Sequence, residues 1–195
     1  MAEAWNLHLG WLFAIHIGCA PNLFVTVNWT CAPSSTVSDP VRRLSMTRDR
    51  MKSFLRRNGA LSLVWIEVRE NPGGHSEHVH WVIFVPERLV AKFRAAMRKW
   101  ATMDAETVNA AAVVFRPIWD WVGLQRYLLK AGTPEVRRLF SVPASISPFQ
   151  GQIDGPRVRV AHAVGHKARS HSGSLTSGAP PGVRVAHAAV RKTPF

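Results

Sequence analysis

The sequence predicts an α+β domain in which an antiparallel sheet carries helices on one face. Segments with strand and helix periodicity alternate in the order β, α, β, β, α, β, α. The chain has 195 residues and is 47% hydrophobic, which is enough for one packed domain with extensions. We therefore expect a domain over residues 21–162, an apolar N-terminal extension over residues 1–20 and a basic, flexible tail over residues 163–195.

The first half of the chain predicts a strand, a basic helix and a hairpin. Apolar and polar side chains alternate over residues 22–29, as they do along a strand. Asp39 can cap a long basic helix that Pro40 opens. The β-prone residues 61–69 and 78–85 flank the strong turn signal NPGG, so we expect them to pair as a hairpin.

The second half predicts a further helix, a strand and a last helix. The helix covers residues 87–100, the strand residues 112–116, and the last helix residues 119–131 before Gly132. Hairpins joined through helices in this order suggest a ferredoxin-like or RNA-recognition-motif-like arrangement.

Two features lie near the ends of the chain. The apolar residues 5–17 are too few for a membrane span, so we expect a core or edge element there and no membrane association. The sequence VRVAHA occurs at residues 158–163 and again at residues 183–188. The first copy alternates Val and Arg like an edge strand, whereas the second is expected to belong to the tail.

The charge of the chain indicates its class of binding partner, and its cysteine content indicates its cellular compartment. The net charge of +13, carried mostly by Arg, favours a nucleic acid as the partner. The helix that begins near Arg42 and Arg43 is the best candidate for contact with a phosphate backbone. Cys19 and Cys31 form no CxxC motif, so a zinc ribbon or a disulfide framework is not indicated and a reducing cytoplasm fits best.

The motif His78-Val79-His80 is a candidate metal-binding pair. Side chains two positions apart on a strand point to the same side, so both imidazoles could contact one ion. Glu67 or Glu70 on the preceding strand could supply a third ligand. These carboxylates cannot both face the ion in a regular strand, and a register that pairs residue 67 with residue 78 or 80 would favour Glu67.

Tyr127 and Lys130 form a second candidate constellation. Residues three positions apart on a helix are surface neighbours, and Tyr127 is the single tyrosine of the chain. A phenol is a poor nucleophile at neutral pH unless a cation stabilises its phenolate form. Lys130 could do this or could clamp the phosphate that is attacked.

Taken together, these motifs resemble those of the HUH replication-initiator endonucleases. The sequences FVTVN at residues 24–28, HVH at residues 78–80 and YLLK at residues 127–130 follow the order of the three motifs of that family. The resemblance covers residues 22–131 approximately, and so most of the predicted domain. A tyrosine that follows the histidines resembles replication initiators rather than relaxases, although transposases of the superfamily share this order.

The resemblance implies an HUH nuclease domain with a metal centre and a tyrosine nucleophile. His78 and His80 would hold Mg²⁺ or Mn²⁺ together with a carboxylate, and Glu70 is preferred because its distance from His78 is similar to that in the family. Tyr127 would attack DNA to form a 5′-phosphotyrosine link, assisted by Lys130. Imidazole ligands suit Mn²⁺ better than Mg²⁺, and zinc is not the first choice.

The same resemblance implies partners and a biological role. The substrate would be single-stranded DNA or an origin hairpin, nicked to start rolling-circle replication of a plasmid or phage in a bacterial cytoplasm. A separate host helicase would unwind the DNA, since the chain has no P-loop motif. The rival hypothesis is a non-catalytic, basic nucleic-acid-binding α+β domain. The predicted DNA-binding residues are Thr26, Asn28, Arg42, Arg43 and Arg126.

Overall fold

A computed structural model describes residues 1–33, 39–60, 62–72, 77–103, 105–143 and 151–172. These residues include five strands: β1 (Leu23–Asn28), β2 (Trp65–Glu70), β3 (His78–Ile83), β4 (Val113–Pro117) and β5 (Val158–Val160). They also include six α-helices: α1 (Ala2–His16), α2 (Pro40–Arg57), α3 (Val90–Ala101), α4 (Trp121–Leu128), α5 (Pro134–Leu139) and α6 (His166–His171).

The strands form one antiparallel sheet in the order β4-β1-β3-β2-β5. Without β5, the order 4-1-3-2 and the connection β1-α2-β2-β3-α3-β4 are those of a ferredoxin-like fold, as the sequence predicts. The first VRVAHA copy supplies the predicted edge strand, β5. The second copy lies outside the described residues.

Helices α2 and α3 cover one face of the sheet, as expected for helices of this core. Met51 of α2 and Phe93 of α3 pack against Val25 and Trp81 of the two central strands. The apolar side chains in this layer are fully or nearly fully buried, so their removal from water stabilises the fold. Trp29, Trp65 and Trp81 all belong to this core.

The opposite face is also covered by helices, which differs from the prediction that helices lie on one face only. Leu7 of α1, Leu128 of α4 and Val136 of α5 share a second core cluster with Phe24 and Val82 of the sheet. The physical reason is that this face of the sheet also carries large apolar side chains, which need cover from water. The apolar N-terminal extension, within which we expected a core or edge element, is the helix α1, packed beside β5.

The described fold continues beyond residue 162, where the tail was expected to begin. Arg169 of α6 is buried and donates hydrogen bonds to the carbonyl of Val164 and to Oδ1 of Asn6 in α1. Residues 163–172 thus pack on the first helix. Within the described ranges, no helix has both the length and the apolar content that crossing a membrane requires.

Candidate metal centre

The register of the β2–β3 hairpin determines which glutamate accompanies the histidines. Glu70 lies opposite His78, and Glu67 lies opposite Trp81. Because side chains alternate between the two faces of a sheet, Glu70 shares a face with His78 and His80, and Glu67 points to the other face. The preferred ligand Glu70 is therefore the one that the structure brings to the histidines.

These three side chains form a compact group that could hold a metal ion. Oε2 of Glu70 lies 3.4 Å from Nε2 of His78 and 3.3 Å from Nε2 of His80. One ligand atom from each residue lies within 4.8 Å of the others. Glu70 and His80 are almost fully buried, and His78 is partly exposed. The partly exposed side leaves room for solvent or a substrate oxygen at the ion.

The chemistry of these residues fits a divalent cation. Two imidazole nitrogens and one carboxylate make a three-ligand set that leaves positions open. Oε1 of Glu70 is buried and makes no hydrogen bond within the described part of the chain. The guanidinium of Arg157 lies 3.7 Å from this oxygen, too far for a hydrogen bond, so the oxygen keeps capacity for a further cation.

Thr26 fixes the orientation of the His80 ring. The two residues are paired across β1 and β3, and Oγ1 of Thr26 lies 2.9 Å from Nδ1 of His80. A hydroxyl can either donate a hydrogen bond to this nitrogen or accept one from it. Thr26 can therefore pair with His80 whether Nε2 carries a proton or is free to bind a metal ion. Phe24 stacks on the same ring at a centroid distance of 5.2 Å. Thr26, predicted as a DNA contact, thus has a supporting role that the sequence did not indicate.

Tyr127 enters the site from α4. Asp120 caps this helix by accepting a hydrogen bond from the amide of Gly123, at 3.0 Å. The Tyr127 hydroxyl lies 3.4 Å from Nε2 of His80, and its ring meets the His80 ring edge-on. The side chain is 39% exposed, so an external phosphate can approach the hydroxyl.

Lys130 also lies in the site, although it follows α4 rather than belonging to it. The helix ends at Leu128, earlier than the predicted residues 119–131, and Lys130 continues in the turn after it. Its Nζ donates to Oε2 of Glu70 at 2.5 Å and lies 3.7 Å from the centre of the Tyr127 ring. The ammonium therefore contacts the same carboxylate oxygen that both histidines approach.

Arg157 is a member of the site that sequence reasoning missed. One of its terminal nitrogens lies 3.7 Å from Oε1 of Glu70 and donates to the carbonyl of Leu128. The residue stands immediately before β5, far from the hairpin and from Tyr127 in sequence. Its one sequence signal is its place in front of the VRVAHA segment, which indicated an edge strand but no contact with the site.

The charges around Glu70 set the protonation of the cluster. Burial raises the pKa of Glu70, but hydrogen bonds to His78 and His80 and the charges of His80 and Lys130 outweigh this effect and hold the pKa well below its usual range. Burial lowers the pKa of His80 and that of Lys130. Glu70 is therefore ionised, and His80 is favoured in the neutral form that binds metals.

The phenol of Tyr127 is held in its protonated form. Burial raises its pKa, and the negative charge of Glu70 raises it further. Arg116 opposes this shift with a smaller effect. Lys130, for which the sequence left open a role at the phenolate or at the attacked phosphate, is paired with Glu70. The described side chains around Tyr127 therefore favour its neutral form over the phenolate.

Glu67 is excluded from the metal centre by its position on the other face. It is fully buried and accepts hydrogen bonds from Arg48 of α2 and from Nε1 of Trp81. These contacts satisfy its charge within the core layer under α2. The alternative ligand set with Glu67 is therefore wrong.

The remaining predicted DNA-binding residues are dispersed. Arg42 and Arg126 are exposed and remain available to a DNA strand. Arg43 is buried and donates to the carbonyls of Ala32 and Ala101, which removes it from the surface that DNA can reach. Asn28 accepts hydrogen bonds from the backbone amide and hydroxyl of Thr30, as an N-cap residue does.

Comparisons of the chain with protein-family models, with curated proteins and with solved structures gave no match in any of the three.

Proposed function

We propose that this protein is a metal-dependent endonuclease that nicks and rejoins single-stranded DNA with Tyr127 as the nucleophile. The observation that carries the proposal is the 3.4 Å separation between the Tyr127 hydroxyl and Nε2 of His80, a member of the Glu70–His78–His80 cluster. A nucleophile and a metal-binding cluster at this distance can act on one phosphate. The net charge of +13 supports a polyanionic substrate.

Glu70, His78 and His80 would hold Mg²⁺ or Mn²⁺ in this enzyme. When bound, the ion would polarise the scissile phosphate and supply the positive charge that Tyr127 lacks. The two imidazoles favour Mn²⁺ by ligand type. Thr26 keeps His80 oriented for this purpose.

In the nicking step, one phosphate of the DNA exchanges its bond to a 3′-oxygen for a bond to Tyr127 and stays attached to the 5′ end. Oη of Tyr127 forms a bond to phosphorus and loses its proton to solvent, while the bond from phosphorus to the 3′-oxygen breaks. The 3′-oxygen takes up a proton and leaves as a hydroxyl, so the 5′ end stays linked to Tyr127. Rejoining is the reverse step, in which the 3′-hydroxyl attacks the phosphotyrosine. Lys130 lies beside the Tyr127 ring, within reach of a phosphate held there.

The biological role within this proposal is initiation of rolling-circle replication on a plasmid or phage, with unwinding by a separate helicase. The order of motifs along the chain also fits a transposase of the same superfamily. A strand-transfer assay separates these roles, because a replication initiator rejoins its own nicked strand to a circle.

The test is formation of a covalent adduct. Full-length protein is mixed with labelled single-stranded DNA of random sequence and Mn²⁺, then separated under denaturing conditions. We expect a labelled protein band that disappears with EDTA and in Tyr127→Phe. An adduct that persists in Tyr127→Phe would overturn the assignment of the nucleophile. Salt-sensitive DNA binding without any adduct would favour the non-catalytic nucleic-acid-binding domain instead.

A further inference from the structure

A second site lies at the edge of the sheet, on the face opposite the candidate metal centre. It is a groove of about 770 Å³ between α2 and the segment that starts with β5. Four cationic side chains line it, and we call it the cationic groove: Arg48, Lys52, Arg56 and Arg159. Arg159 pairs in register with Glu67, so its side chain points to the face that α2 covers.

A buried carboxylate, Glu67, lies beneath two of the cations that line the cationic groove. NH1 of Arg48 donates to both oxygens of Glu67, at 3.0 and 3.1 Å. Nε of Arg159 lies 4.0 Å from the same carboxylate. Glu67 is itself fixed by the hydrogen bond from Trp81. The buried anion therefore fixes the Arg48 guanidinium by hydrogen bonds and attracts that of Arg159 through space, and both groups keep N–H donors for other partners.

The other cations continue this arrangement along α2. Arg48, Lys52 and Arg56 are spaced four residues apart, so they lie on one side of the helix with a rise of about 6 Å between neighbours. Asp49 also lines the groove and pairs with Lys52 at 3.2 Å, an exposed contact of little strength. Four positively charged side chains are thus balanced by only two carboxylates, Asp49 and the buried Glu67.

We propose that the cationic groove binds the phosphodiester backbone of a nucleic-acid strand, away from the phosphate that would react at Tyr127. A row of cations along a helix, with another across the groove, matches a chain of phosphates better than a single phosphate. The guanidinium of Arg48, which Glu67 already holds, loses little freedom on binding, and this favours affinity. Guanidinium–phosphate contacts carry no sequence information, so the groove holds nucleic acid without reading bases. This site extends the proposed function but does not depend on it, because it lies on the opposite face.

The experiment measures how binding depends on salt. Full-length protein in EDTA is titrated with a labelled mixed-sequence single strand, as DNA and as RNA, and followed by fluorescence anisotropy. The groove variant is Lys52→Glu with Arg56→Glu, which leaves the Arg48–Glu67 contact in place. The control variant is Lys92→Glu with Lys99→Glu, which makes the same charge change at exposed positions of α3. Thermal melting checks that both variants are folded.

We expect the groove variant to lose on the order of tenfold in affinity at low salt. The slope of log affinity against log salt should flatten by about 1.4, the value for two single-strand phosphate contacts. The control should lose much less. Equal loss for DNA and RNA identifies the shared backbone as the ligand, and a loss confined to one of them identifies that strand. Equal weakening by both variants would overturn the proposal, because net charge alone would then explain binding.

The two proposals fail separately. Adduct formation at saturating DNA should survive in the groove variant, whereas groove-dependent binding should survive in Tyr127→Phe. If the wild-type protein forms no adduct but the groove variant binds more weakly than the control, the cationic groove stands without the nicking activity. If the adduct forms but the groove variant binds as the control does, the nicking activity stands without the groove.

Discussion

The Tyr127 hydroxyl lies 3.4 Å from Nε2 of His80, although the two residues are 47 positions apart in the chain. A helix and a central strand meet at this point because Leu128, the next residue of α4, is fully buried in the core cluster on the same face of the sheet. Packing of α4 therefore holds the phenol beside the imidazole.

The two glutamates of β2 should behave differently towards metal. We expect Glu70→Gln to weaken Mn²⁺ binding by at least about tenfold, since loss of an outer partner alone has an effect of this size. Glu67→Gln should leave Mn²⁺ affinity unchanged but lower the free energy of unfolding by about 1–3 kcal/mol, because Arg48 loses its charged partner. Isothermal titration calorimetry and urea unfolding measure the two effects. A similar loss of metal affinity in both variants would contradict the assignment of Glu70.

The hydroxyl of Thr26 should matter for metal binding without touching the ion. Thr26→Val keeps the shape of the side chain but removes the partner of His80 Nδ1, so we expect Mn²⁺ affinity to fall about 10- to 100-fold. Thr26→Ser, which keeps the hydroxyl, is the matched control and should restore most of the affinity. If both variants bind Mn²⁺ equally well, the hydrogen bond does not orient the ring.

Lys130 should compete with the metal for Glu70. Its ammonium contacts the carboxylate oxygen that both histidines approach, so a bound ion has to displace it. We expect Lys130→Met to melt at a lower temperature in EDTA and to gain more stability from Mn²⁺ than the wild type, because binding to the folded state raises stability. Thermal melts with and without Mn²⁺ give the comparison. Weaker Mn²⁺ binding in the variant would show that Lys130 assists the ion rather than competing with it.

The stability of the metal-free protein should fall as the pH drops below about 6.5, the ordinary pKa of histidine. Burial lowers the pKa of His8, whose ring lies 2.9 Å from the side-chain amide of Gln125. The unfolded chain therefore takes up the proton first, and stability is lost as the pH falls through the interval between the unfolded and folded pKa values. His8→Asn removes this titration.

Urea midpoints at pH 7.5 and pH 5.5, measured in EDTA, test this prediction for His8. The drop in midpoint between the two pH values should be smaller in His8→Asn than in the wild type. An equal drop in both proteins would mean that His8 does not contribute to the pH dependence.

Sequence reasoning found the site through local patterns and missed what depends on distant segments. The pair His78 and His80 was recognisable because residue spacing defines which side chains of a strand share a face, and Tyr127 was linked to it by the resemblance in motif order. Arg43 was wrongly predicted to bind DNA, because the sequence of a basic helix does not indicate which arginine points into the core. Arg157 was missed because its contact with Glu70 arises only when β5 joins the sheet.

The sequence by itself determined the α+β class, the order of the elements from β1 to α4 and the candidate ligands, because these follow from side-chain periodicity and turn residues over short stretches. Tertiary structure alone decided between Glu67 and Glu70, since the pairing of β2 with β3 assigns each glutamate to a face. Tertiary structure also decided that helices cover both faces of the sheet. It brought three arginines and a lysine together in the cationic groove, on the face opposite the metal centre. The physical reason is that strand register and helix docking depend on contacts between distant segments, which local patterns do not encode.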